Sequence, residues 1–297
     1  MRLYAPVPAS FLATLALALS LPGAGAAGAA TPAGDARPAT AARCPDSFAP
    51  AGRVASVDEG GDLVLSDGGV LRLAGLSLAG TQQGPALRAA LTELAVGREV
   101  EIAPAAGRDR YARQPSLVRR AGEATTLQER LLARGLAVAR PEAGLLGCMA
   151  GWYAAEDTAR RARRGVWREL PLRTRDVAAI GARQGRFTIV EGRVLSVGNT
   201  RTLHYLNFGP VWRQDMTGRL TQAGHAALEA AGMPATDLAG RHVTLRGTVF
   251  EAGGPAMELV WAEQIGWTGR AERAGTPGTV TGGADSGDAG ARQAGDE

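Results

Sequence analysis

Short alternations of apolar and polar residues, broken by Gly and Asp, mark the first half of this chain as strands joined by tight turns. "GRVASVD", "GDLVLSDG" and "VLRLAGL", within residues 52–76, read as three β-runs of a meander. The period then changes. "PALRAALTELAVG", 85–97, has helical spacing, with proline near its first turn and glycine just past its end. "REVEIAPA" and "RQPSLVRR" return to strand character. "TTLQERLLARGLA" puts Leu127, Leu131 and Leu132 on one helical face and stops at Gly135. "GCMAGWYAAEDTARRARRGVW", 147–167, predicts a third helix, again ended by glycine. Five strands with interspersed helices predict a small Greek-key barrel capped by helices, of the OB-fold type.

A second block repeats the logic without an obvious sequence repeat. "RFTIVEGRVLSVGN", "TLHYLNFG" and "VWRQDMTG" predict strands, and "AGHAALEAAGM" a helix. "GRHVTLRGTVFEAGG" and "PAMELVWAEQIGW" close the pattern. The fold class expected is α+β, mainly β, with tandem OB-like barrels. The organisation read from the pattern is a signal peptide over 1–26, a linker over 27–50, the first barrel over 51–170, the second over 174–267 and a disordered tail over 268–297.

Composition adjusts this picture in three places. All 33 basic residues are arginine, and with 41 glycines this marks a compositional bias, so much of the arginine needs no functional account. Residues 45–170 hold 17 Arg against 15 acids and residues 171–267 hold 10 against 8, so neither block is strongly cationic. "FLATLALALSLPGAGA", 11–26, follows Arg2 and ends in small residues, as a secretory signal does. Its apolar core is short for a span and Pro22 breaks it. The expected destination is therefore the periplasm or the exterior, with no membrane span after cleavage and with no oligomeric state implied. Cys44 and Cys148, the two cysteines, are expected to pair there, free thiols being the alternative. Scattered histidines give no zinc signal.

The first block resembles the staphylococcal-nuclease (thermonuclease) family. "VDEGGDLVLSDGGVLRLAGLSLAG", "GREVEI", "DRYARQPSLV", "LQERLLARGLAVARP" and "AEDTARRARRGVW" stand in family order over roughly 51–168. The second block looks like the OB-like domain that some secreted members carry, through "YLNFGPVWRQDMT", "LAGRHVTLRG" and "GGPAMELVWAEQI". The resemblance implies calcium-dependent cleavage of DNA and RNA phosphodiesters. Such chemistry needs hard oxygen ligands for Ca²⁺, an acid as general base, and two arginines on the phosphoryl oxygens.

The arginines are present. Arg72 in "LRLAGL" matches the first clamp and Arg113 in "DRYARQ" the second, with Ala112 where the family has glycine. A strand arginine with a packed stem, for Arg72, and surface decoration, for Arg113, are the plainer alternatives. The carboxylates are missing. Gly61 and Ser77 stand at the family's metal-ligand positions and Gly80 at the base position. Asp62 is one residue along from Gly61, a slip that reverses the face of a strand and leaves it a weak candidate ligand. Near Ser77 no acid follows until Glu93.

Two further features carry alternatives. "ARRARRGVWR", 159–168, is either a phosphate-contacting run or a solvated helix face. "HYLNFGPVW", 204–212, offers Tyr205, Phe208 and Trp212 either as base-stacking rings or as core. Three functions stay open: a catalytically degenerate nuclease-like protein with a retained nucleic-acid-binding or envelope-scaffold role; an active divergent nuclease, the one case that calls for Ca²⁺; and a protein–protein adaptor of the cell envelope.

Overall fold

The structure is a computed structural model that describes residues 43–78, 84–211 and 214–267. The signal, most of the linker, the tail, Gly80, Trp212 and Arg213 lie outside the described residues. The first strands are β1 (Ala49–Val57), β2 (Leu63–Leu65), β3 (Val70–Leu73) and the short β4 (Leu76–Ser77). Helix α1 (Gly84–Ala95), β5 (Glu99–Pro104), β6 (Gln114–Arg120), α2 (Leu127–Arg134), β7 (Val138–Ala139) and α3 (Met149–Arg161) follow. Strands β1-β2-β3-β6-β5 close into a barrel, and β4 pairs with β7 beside it. The β3/β6 contact is parallel and the other contacts of the barrel are antiparallel.

Local chemistry accounts for these elements. Leu63, Leu65, Leu71 and Leu73 recur at period two, and their buried side chains meet Leu87, Leu91 and Leu94 of α1. Helix α2 starts in a capping box of Thr126 and Glu129 and ends at Gly135 in the left-handed conformation. Buried Gln128 donates to Ser116 O at 2.8 Å and accepts from the Val118 amide at 3.2 Å, bracing β6 from the helix. Gly75 turns the chain out of β3 with φ +73°, and a Cβ there would run into the Trp152 ring. The Cys44–Cys148 disulfide is formed, tying the chain before β1 to the start of α3.

The remaining elements are β8 (Leu172–Arg173), α4 (Val177–Gly181), β9 (Phe187–Arg193), β10 (Ser196–Asn199), β11 (His204–Asn207) and β12 (Thr217–Leu220). Then come α5 (Gln222–Ala230), β13 (His242–Glu251), β14 (Pro255–Leu259) and β15 (Ile265–Trp267). They form one curled sheet in the order β10-β11-β12-β14-β13-β9-β8, with β15 also on β13. The contact between β12 and β14 is parallel. A core of Val190, Leu206, Leu220, Leu245, Met257 and Leu259 fills its concave side.

The chain is thus an α+β protein with an OB-like barrel. Two strand expectations need correction. "RFTIVEGRVLSVGN" breaks into β9 and β10 at Val194 and Leu195, where Val194 turns to exchange backbone bonds with Gly240 and Arg241. "VWRQDMTG" is no strand over residues 214–216. Asp215 accepts the Val211 amide at 2.8 Å and holds a loop, so β12 starts at Thr217.

Apolar packing and one ion pair join the helical end of the barrel to the curled sheet. Val138, Ala159, Val166, Trp167 and Leu170 pack with Ile189 of β9. Glu156 of α3 takes Arg246 of β13 at 2.6 Å and accepts the Ala139 amide at 2.6 Å. Tyr153 donates to Glu263 O at 2.6 Å.

Candidate functional site

The turn between β1 and β2 builds one wall of the site. Asp58 Oδ1 accepts the Asp62 amide at 2.8 Å, and Gly61 occupies the tight position with φ +87°. Asp62 follows it, buried, just before β2. The loop entering β6 builds the second wall. Asp109 Oδ1 accepts the amides of Tyr111 at 2.9 Å and Arg113 at 3.1 Å. Ala112 adopts φ 61°, a left-handed conformation that glycine enters freely and alanine does not.

These two loops bring Arg113 to the Asp62 carboxylate. Arg113 Nη1 donates to Asp62 Oδ2 at 2.9 Å. Its Nη2 and Nε both reach Asp109 Oδ2 at 2.8 Å. Arg72 stands in register with Pro115 of β6, and its charge also acts on the Asp62 carboxyl. The Arg72 Nε is buried and has no hydrogen-bond partner. Tyr111, well exposed, lies under both Arg110 and Arg113, with ring-to-guanidinium distances of 4.8 and 5.1 Å.

Electrostatics separates the two acids. Burial raises the Asp62 pKa above its ordinary value, against the hydrogen bond from Arg113, and the neighbouring Asp58 charge pushes the same way. The hydrogen bond from Arg113 lowers the Asp109 pKa. Both acids hold the guanidinium of Arg113 more firmly in its charged form.

All three nitrogens of Arg113 therefore bond to carboxylates, and a phosphoryl oxygen would have to share the guanidinium with Asp62 and Asp109 through the one remaining N–H on each Nη. Of the positions expected to bear metal ligands, Gly61 and Ser77 are described. A Cβ on Gly61 would meet Leu78, Leu87 and Leu91, so a side chain there points at apolar carbon. Ser77 is buried in the short β4 ladder opposite Val138. Gly80 lies outside the described residues. Among the described residues, no group of three or more His, Cys, Asp or Glu side chains is placed to hold a metal ion.

No protein-family model matches the chain, and no curated protein matches it.

The other sequence candidates fall into place around this site. In the arginine run, Arg160, Arg161, Arg163, Arg164 and Arg168 are exposed, while Val166 and Trp167 are buried. Trp152 is likewise core. Phe208 packs against the core of the curled sheet. Tyr205 is half-buried on its outer face, paired in register with Arg219. Asp109 is the site residue that inspection of the sequence missed. Its only signal was its place four residues before Arg113, a spacing that reads as a helical pair and here closes a loop. Glu156 and Arg246, 90 residues apart, carried no signal at all.

Proposed function

We propose that this chain is an exported, nuclease-like protein of two OB-like barrels that binds nucleic acid without cleaving it. The first barrel is of staphylococcal-nuclease type. Strand order supports the family reading: β1-β2-β3-β6-β5, closed through a parallel β3/β6 contact with α1 after the β3–β4 turn, is the OB path. Taken as one bent strand, β9 and β10 give the curled sheet the same path. There the parallel contact is β12/β14, and α5 follows β12. The Cys44–Cys148 bridge and the N-terminal apolar run support an oxidising destination outside the cytoplasm. Among the described residues no helix is long and apolar enough to cross a membrane.

One observation carries the loss of catalysis. Arg113 is held between Asp62 and Asp109, where the family chemistry needs it open to phosphate with a metal and a base opposite. Among the described residues no cluster of acids is placed to hold a metal ion. The decisive experiment incubates the purified mature chain with single- and double-stranded DNA and with RNA, with and without Ca²⁺. Intact substrate in every arm is the expected result. Calcium-dependent cleavage that Arg113→Ala abolishes would favour the active divergent nuclease instead. Failure to retain any nucleic acid at low salt would favour an adaptor for an envelope protein.

A further inference from the structure

The outer face of the curled sheet carries rings and guanidinium groups side by side. Register puts Tyr205 beside Arg219 and Arg219 beside Glu258. Phe250 lies beside Ala256, and Thr248 beside Phe187. Tyr205, Arg219, Glu258, Thr248 and Phe250 are each out of phase with a buried neighbour, such as Leu206, Leu220, Leu259 or Val249, and point away from that sheet's core, while Ala256 is buried and Phe187 packs partly on the apolar joint to the barrel. Together with Arg140 and Trp261, side chains of this face line an open cleft of about 470 Å³. A second cleft, of about 400 Å³ and lined by Tyr205, Asn207 and Thr217, lies on the other side of Arg219. Arg219 belongs to both.

The lining chemistry selects the occupant. Arg219 spreads over the Phe250 ring at 5.4 Å, and Arg140 over Phe187 at 5.7 Å. Arg140 is loosely paired with Glu142 at 3.6 Å. Among the described residues Arg219 has no ion-pair partner, and its buried Nε makes no hydrogen bond. Glu258 is the one acid in the cleft's lining. Half-exposed rings stacked with arginine give flat surfaces on which any base can lie, and the guanidinium edges remain for phosphate.

We propose that these two clefts, joined through Arg219, form a binding track for single-stranded nucleic acid, read by stacking and not by sequence. The site extends the nucleic-acid-binding role proposed above and rests on it. It places the contact on the second sheet, away from the self-neutralised Arg113. With one arginine unpaired among the described residues and one loosely paired, the track neutralises few phosphates. Its affinity then falls only gently with salt, with a log–log slope of about −1 to −1.5 for two contacts.

The test titrates the full mature chain with fluorescein-labelled oligothymidylate, in parallel with a duplex of equal length and with polyglutamate. The expected order is oligothymidylate tighter than duplex, with polyglutamate weakest. Arg219→Gln weakens oligothymidylate binding by about tenfold, the loss of a single stacked base contact. Glu258→Gln, an exposed position, tightens it several-fold and keeps the proposal falsifiable should the Arg219 variant fold poorly. Bound oligothymidylate quenches tryptophan emission, and Trp261→Phe removes most of the quench. Binding by the parent chain that neither Arg219→Gln nor Glu258→Gln alters overturns this site while leaving the proposed function standing. No binding by the parent chain overturns both. Polyglutamate bound as tightly as oligothymidylate at equal ionic strength overturns the track as a nucleic-acid site.

Discussion

Arg246 and Glu156 face each other at 2.6 Å with 12 % and 1 % of their side chains exposed, and they bridge the curled sheet to the last helix of the barrel. Burial opposes the charge on Arg246, and Glu156, Tyr153 and Asp157 together outweigh it, so the guanidinium is held in its charged form. Arg246 also lies over the Tyr153 ring at 4.3 Å. The carboxylate is bonded twice over, to the Ala139 amide and to Arg246, which is what a buried charge requires.

Removing one partner strands the other. Glu156→Ala is expected to cost about 3–5 kcal/mol in urea unfolding, because Arg246 keeps its charge with no counterion. Replacing both partners with apolar residues of similar volume costs much less, since no charge is left buried. Equal losses for the single and double variants would contradict this account of the joint.

Placing an acid at Gly61 is not expected to create a calcium site. Gly61→Asp forces a left-handed backbone onto an L-residue and turns its side chain toward Leu78, Leu87 and Leu91. The backbone term alone costs about 1–3 kcal/mol. Thermal melts with and without Ca²⁺ should show a lower midpoint that calcium does not raise.

Ala112 offers the opposite change. Its φ of 61° is strained for alanine, and nothing in the loop hydrogen bonds depends on its side chain. Ala112→Gly is expected to stabilise the chain by about 0.5–1 kcal/mol, the relief of the left-handed conformation less the added freedom of glycine when unfolded. A matched pair of denaturant curves checks the sign.

The stacked pair His204 and His225, 4.0 Å between ring centres, makes stability depend on pH. Burial lowers the His204 pKa below 6.5, the neighbouring His225 adds to the shift, and Glu229 opposes it. The folded chain therefore takes up the proton later than the unfolded chain as pH falls. Above about pH 6.5 both states are neutral at this position and stability is at its full value. It declines as pH drops through 6.5 toward the depressed folded value, then levels off. Unfolding midpoints between about pH 7.5 and pH 5 should follow that decline, and His204→Gln should flatten it.

Much of the barrel was legible in the chain because its determinants are local. Alternation at Leu63, Leu65, Leu71 and Leu73, the Thr126–Glu129 cap and the stops at Gly97 and Gly135 each act within a few residues. The loop around Asp215 was misread because Val211 and its apolar neighbours imitate a strand, while a single aspartate bonding back four residues makes a turn. The split of β9 from β10 was hidden for a related reason. The bend at Val194 is fixed by the backbone of Gly240 and Arg241, far along the chain.

Sequence alone determined the strand and helix periods, the turn glycines and the pair of cysteines available for a bridge. It also placed Gly61, Ser77 and Gly80 where the proposed nuclease-like reading expects carboxylates. Only the tertiary structure decided what Arg113 and Arg246 pair with. Asp62 and Arg113 are 51 residues apart, and Arg246 reaches Glu156 across 90. Charge pairing at such separations depends on which faces the folded backbone turns toward each other, and no local period encodes that.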